Sequence, residues 1–210
     1  MLRTFAQRCV RRSATQLVST CKYSSTHAVS ADAGNDGGFK NVGIIGLGLM
    51  GHGVAQVAAM AGYRVIGIET QKSALDAGMK RIETSLGKMM ANNVKKGIYD
   101  QKKADDEYKQ IMSRITASTD INNVKNCDLI IEAIVENIDV KLGFYKNLAK
   151  VVTNKDCVFA SNTSSLQITA MANASLRPEL FVGLHFFNPV QVRKAFMLFF
   201  ITALQLNMLL

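Results

Sequence analysis

His185, in Gly183-Leu-His-Phe-Phe-Asn-Pro-Val190, sits at the end of an apolar run just before a proline-directed turn. An imidazole there can take or return a proton near neutral pH, provided a partner fixes its tautomer and balances its charge. The last carboxylate in the chain is Glu179, so no acid follows His185. A second group with chemical potential lies far upstream. Gly46-Leu47-Gly48-Leu49-Met50-Gly51 has the spacing G-x-G-x-x-G, follows a short β-branched apolar run and opens a segment of helical periodicity. In that context Gly46 permits the tight turn, Gly48 lets a pyrophosphate approach the backbone, and Gly51 lets the helix pack on the sheet. The helix N-terminus adds N–H groups and a favourable dipole. Glu69, eighteen residues after Gly51, closes the next apolar run. A carboxylate there accepts hydrogen bonds from ribose hydroxyls and repels a 2′-phosphate, which favours NAD over NADP. Arg64 lies five residues earlier, and strand alternation points it elsewhere.

The elements that must carry these groups are legible from Phe39 onward. "KNVGIIGLG", "LMGHGVAQVAAMAG" and "YRVIGIE" read as strand, helix and strand, a βαβ unit. A long helical stretch follows. "KSALDAGMKRIETSLGKMMANNV" places Leu75, Met79, Ile82 and Leu86 on one face, and "QKKADDEYKQIMSRI" reads as a second, strongly charged helix with a solvated face. "ITAST", "CDLIIEAIV", "CVFASNTSS" and "LFVGLHF" are strand candidates, separated by the helical patterns "NIDVKLGFYKNLAKVV" and "LQITAMANA". Such alternation predicts an α/β doubly wound, mostly parallel sheet of Rossmann type, with a long helical hairpin inserted after the second strand.

Composition bounds the rest. The chain has 210 residues, 48% of them hydrophobic, with a formal charge of +9. That charge is concentrated: residues 1–31 hold Arg3, Arg8, Arg11, Arg12 and Lys22 and no acid, leaving 20 basic against 16 acidic residues elsewhere. The remainder gives no basis for nucleic-acid binding. The Arg- and Ser/Thr-rich, acid-free segment 1–31, lacking a continuous apolar stretch, has the composition of a mitochondrial transit peptide, followed by a linker over 32–38. Cys9, Cys21, Cys127 and Cys157 show no metal-binding spacing, and the last two read as buried free thiols. The uncharged tail, Ala195 to Leu210, falls short of the roughly 20 residues that span a bilayer, which argues against a membrane anchor.

Four blocks in this order resemble the short-chain L-3-hydroxyacyl-CoA dehydrogenases of mitochondrial fatty-acid β-oxidation: "GIIGLGLMGHGVAQVAAMAGYRVIGIE", "DLIIEAIVEN", "FASNTSSLQIT" and "GLHFFNPV". The resemblance covers about Asn41 to Val190. It implies an NAD-linked oxidation of L-3-hydroxyacyl-CoA to 3-ketoacyl-CoA in the mitochondrial matrix. His185 matches the family's catalytic histidine, and Ser164 the serine near both substrate and nicotinamide. Asn188, Glu136 and Lys141 match cofactor-binding positions, and Ser85 matches a serine that contacts CoA on the long helix. The lysine used about two turns later falls on Asn92, with Lys95 and Lys96 out of register. His52, where the family has a small residue, reads as incidental, near the phosphate.

After Val190 the sequence leaves the family pattern. The glutamate that pairs with the catalytic histidine, twelve residues on, is replaced by Met197. The resemblance would continue into a helical C-terminal domain carrying the homodimer contacts and the acyl pocket, for which residues 191–210 offer no counterpart. Folded back as a helix, this divergent apolar tail would cover the sheet face left bare. The expectation is therefore a cofactor-binding Rossmann domain over 39–190 with an incomplete catalytic pair. The alternative is a non-catalytic NAD-binding module or a partner of full-length subunits.

Overall fold

The computed structural model describes residues 39–193 and 196–200; the transit-like segment, the 32–38 linker and residues 201–210 lie outside them. Seven strands form one sheet in the order β3-β2-β1-β4-β5-β6-β7. They are β1 (Asn41–Ile45), β2 (Arg64–Ile68), β3 (Ile115–Ser118), β4 (Leu129–Glu132), β5 (Val158–Ser161), β6 (Phe181–Phe186) and β7 (Phe196–Phe200). The first six run parallel and β7 runs antiparallel to β6. The central strands β1, β4 and β5 are buried on both faces, as parallel strands under crossover helices must be.

The helices divide between the faces. On one side lie α1 (Gly51–Met60), α2 (Lys72–Lys95) and α3 (Gln101–Ser113). Their apolar stripes put Val54, Ala55, Ile82, Leu86 and Ile111 into one core with Val42 and Ile44. Leu75, Ile82 and Leu86 of the expected stripe are buried, while Met79 is half-buried at its rim. On the other side, α4 (Ile138–Val151) and α5 (Ile168–Ala174) bury Tyr145, Leu148 and Met171 against Phe159 and Phe181. Truncating a fully buried residue such as Leu86 or Phe159 to alanine would cost about 2–5 kcal/mol. The inserted hairpin is α2 and α3. Gly97, with φ +69°, ends the first helix, and the Asp100 side chain caps the second by accepting the Lys103 N–H at 2.7 Å.

Between β1 and β4 the order of strands reverses: β2 and β3 continue to one side of β1, β5 and β6 to the other side of β4. The connections leave the strand ends in opposite directions there, opening a crevice at the carboxyl edge of the sheet. The sheet also continues beyond Val190. A four-residue helix, α6 (Val190–Arg193), leads into β7, so this part of the apolar tail is a strand and not the helix expected to cover a bare face. The register sets Met197 opposite His185. No helix among the described residues is long and apolar enough to cross a membrane.

Cys127 and Cys157 are both buried and free. Burial is the main cause that pushes each thiol up to about 12, with the neighbouring charges of Asp128 on Cys127 and of Cys127 on Cys157 adding to it. The thiolate is the reactive form, so neither should take up a maleimide in the folded chain at pH 7–9. Peptide mapping after labelling should find both modified only once denaturant is added; modification at the native rate of an exposed thiol would contradict their burial.

Candidate functional site

The turn after β1 is built by close approaches. Gly46 has φ +88°, and a Cβ on it would lie 2.7 Å from the Ala133 carbonyl oxygen. Its N–H donates to the Ile68 oxygen at 2.8 Å, locking the turn to β2. A Cβ on Gly51 would fall 1.7 Å from the Gly46 oxygen. The tight fit of Gly51 is therefore against the loop itself, with the Ala133 methyl beyond. Leu47 turns away from the cleft and is fully buried, close against Gly78 of α2. Its backbone N–H stays on the loop. Gly48 is different: a Cβ there would meet nothing within 4 Å. The loop thus presents an open backbone at the start of a helix whose first turn holds no acid and whose N-cap, Met50, makes no side-chain cap. These features fit a pyrophosphate.

Glu69 lies just past β2 and is held by two backbone donors. Its Oε2 accepts the Leu47 N–H at 3.1 Å and its Oε1 the Thr70 N–H at 3.0 Å. The carboxylate is fixed beside the glycine loop with lone pairs left to accept from a ribose. Arg64 is exposed at the opposite end of the same strand. A cleft of about 1200 Å³ runs from Glu69 past Gly48, Leu49 and Met50 to Glu136, Ser164, His185 and Asn188. Leu49, Val135 and Val140, exposed to solvent, give it apolar walls.

Under the cleft lies a polar network. Glu132, at the end of β4, is completely buried and accepts from Lys141 Nζ (2.8 Å), Tyr145 Oη (3.1 Å), Ser161 Oγ (2.7 Å) and the Ile134 N–H (2.8 Å). Lys141 also reaches Glu136 Oε2 at 3.1 Å. Glu136 in turn accepts from the Thr163 hydroxyl and from the Ser164 N–H at 3.0 Å. Asn162 Oδ1 accepts the Phe186 N–H at 3.1 Å, joining the Ser164 turn to the strand that carries His185. The half-buried imidazole of His185 meets the edge of Phe187, ring centres 5.1 Å apart.

The structure therefore brings together Gly46, Gly48, Leu49, Met50, Glu69, Glu136, Ser164, His185 and Asn188 on one cleft. Lys141 stands apart from them, buried beneath its floor. Ser85 lies on α2 in a separate shallow groove with His52, Lys80, Arg81, Thr84 and Lys88. His52 donates from Nδ1 to the Gly48 oxygen at 2.7 Å, so it belongs to both the loop and that groove. Sequence reasoning missed Glu132, although a carboxylate ending an apolar strand was a readable signal. It also missed Arg81 and Lys88, which flank Ser85 at helical spacing, and looked instead to Lys95 and Lys96.

Burial, the largest influence on Glu136, would raise its pKa; the hydrogen bonds from Thr163, Ser164 and Lys141, with the Lys141 charge, more than offset this and hold it below the ordinary 4.5. A carboxylate depressed by folding stabilises the native state above its unfolded value, and that contribution is lost as pH falls through the folded one. The stability difference between wild type and Glu136→Gln should therefore shrink on acidification below 4.5. Urea melts across pH 3–7 would show this, and a difference constant with pH would contradict it.

The model of the 3-hydroxyacyl-CoA dehydrogenase NAD binding domain matches residues 41–196. Hydroxyacyl-coenzyme A dehydrogenase, mitochondrial, from Sus scrofa is 45% identical over 181 residues, covering 85% of this chain and 55% of that protein. The human protein of the same name is 47% identical over 157 residues, covering 74% and 48%. Among solved structures, (S)-3-hydroxybutyryl-CoA dehydrogenase from Ralstonia eutropha superposes with a TM-score of 0.69 at 34% identity, covering 77% of this chain and 54% of that one. The chain spans about half the length of the curated relatives it matches. With a glycine loop, a carboxylate fixed beside it and a doubly wound sheet in place, the chain belongs to the 3-hydroxyacyl-CoA dehydrogenase NAD-binding domain family.

Proposed function

We propose that this chain provides the NAD-binding half of an L-3-hydroxyacyl-CoA dehydrogenase and oxidises the 3-hydroxyl of an acyl-CoA. The observation that carries this reading is the convergence of His185, Ser164 and Asn188 on the cleft that begins at the glycine loop. When bound, NAD supplies the hydride acceptor. The Gly48 backbone and the start of α1 hold its pyrophosphate, and Glu69 takes the ribose hydroxyls. Asn188 and Ser164 border the far end, where Ser164 Oγ can donate to the reacting oxygen. His185 takes the hydroxyl proton as hydride leaves the substrate carbon, and returns it in the reverse direction. Ser85, in the groove with Arg81 and Lys88, contacts the CoA moiety. The mitochondrial names of the relatives and the acid-free, Arg-rich segment 1–31 support a mitochondrial location, which we place in the matrix.

One observation favours a second reading, a non-catalytic NAD-binding module. Met197 lies opposite His185 in the β6–β7 register, and a methionine cannot balance an imidazolium. A single fluorescence titration separates the two. NADH is added to saturation of the full chain, then acetoacetyl-CoA, and the NADH signal is followed. Binding with steady consumption, reduced about 10²–10⁴-fold by His185→Gln, is expected of the dehydrogenase. Binding without consumption supports the module, and no binding overturns both.

Cofactor choice gives an independent check. Glu69→Ser removes the charge that repels a 2′-phosphate and should narrow the NADH-over-NADPH preference by about tenfold, or about 1.4 kcal/mol. An unchanged ratio of the two dissociation constants would show that Glu69 does not face the ribose.

A further inference from the structure

His52 stands where the family resemblance places a small residue, and the structure gives it a defined partner. It is the second residue of α1 and half-buried. Its Nδ1 lies 2.7 Å from the Gly48 carbonyl oxygen, closer than its own backbone N–H, whose nitrogen is 3.4 Å from the same atom. A carbonyl oxygen only accepts, so Nδ1 carries the proton, and Nε2 is bare whenever the ring is neutral. Gly48 has need of such a tether. Its neighbours in the loop are tied through their amides, Gly46 to the Ile68 oxygen and Leu47 to Glu69. A Cβ on Gly48 would meet nothing within 4 Å, so packing does little to hold the most freely rotating residue type.

The peptide after Gly48 is planar and trans, so the Leu49 N–H points opposite to the Gly48 carbonyl. His52 lines the groove on α2 with Arg81, Ser85 and Lys88, while Gly48 and Leu49 line the cleft. We propose that His52 is a positioning residue: by holding the Gly48 carbonyl on the groove side it aims the Leu49 N–H into the cleft, at the cofactor's pyrophosphate, without touching the cofactor. The part concerning the cofactor rests on the reading of the cleft as an NAD site.

Two variants of the full chain separate this role from one in the groove. Asparagine carries its side-chain amide on the carbon where histidine carries Nδ1, and has nothing in place of Nε2. His52→Asn therefore keeps the bond to Gly48 and takes the ring out of the groove; His52→Ala removes both. Alanine favours a helix, so weaker binding by that variant would not reflect loss of α1. The dissociation constant for NADH should rise about three- to tenfold in His52→Ala, the net worth of one hydrogen bond, and stay within about twofold of wild type in His52→Asn. An unchanged constant in His52→Ala, or an Asn variant as weak as the Ala variant, would overturn the proposal. Nitrogen-15 NMR of the neutral imidazole, assigned by its loss in His52→Asn, tests the bond without cofactor: protonation at Nδ1 is expected, and an Nε2–H tautomer would overturn the proposal as well. A wild-type chain that binds no NADH would sink the cofactor reading and the positioning role with it, and the NMR would then judge the Gly48 bond by itself.

Discussion

The carboxyl edge of this sheet depends on how closely two pieces of backbone approach at the strand-order reversal. The turn after β1 presses against the chain leaving β4 at Ala133, and the start of α1 presses against that same turn. Both contacts are too close for a side chain, so they require glycine, while the Gly46–Ile68 and Leu47–Glu69 hydrogen bonds hold the loop in place. The first helix starts at this loop on the crevice side, and the end of β2 brings Glu69 within reach of the loop's own amide. Preorganisation of this kind places the ordering cost in folding, so that a ligand need not meet it on binding.

Electrostatics arranges the other wall. Glu132 and Lys141 sit under the cleft and Glu136 lines it, and neighbouring hydroxyls and amides complete their hydrogen bonding. Buried ion pairs are poor stabilisers compared with apolar packing of the same volume. Their value here is directional: a methylene chain can fill the space under a turn, but it cannot fix where Ser164 stands. The network runs from the fully buried Glu132 to the partly exposed Glu136 and so links core to surface.

Most of the fold was legible because each element declares itself locally. Strand and helix alternate with clear periodicities, and the glycine spacing fixes the first crossover. The cleft residues Glu69, Ser164, His185 and Asn188 were likewise found from pattern and resemblance. Legibility failed where a role depends on distant partners. Nothing local distinguishes Lys141 from a surface lysine; its burial follows from Glu132, nine residues earlier on another element. The groove around Ser85 was not legible as a whole, because α1 contributes His52 to it and the spacing of one helix cannot reveal a lining residue from another. The tail was read by its apolar composition, which does not discriminate strand from helix, and strand pairing with β6 decided it.

That last strand has a wider meaning. A sheet edge recognises an incoming segment through its amides and carbonyls, and these are the same for every residue but proline. Any short, β-prone, apolar stretch can therefore close the edge beside His185, whatever residue it sets opposite the imidazole. Architecture and chemistry are thus separable at this edge: the backbone pairing of β7 with β6 satisfies the first, while the second depends on which residue type the register sets opposite His185. The edge beside His185 can therefore be closed by backbone pairing alone, whether or not the pairing segment brings a charge to the imidazole.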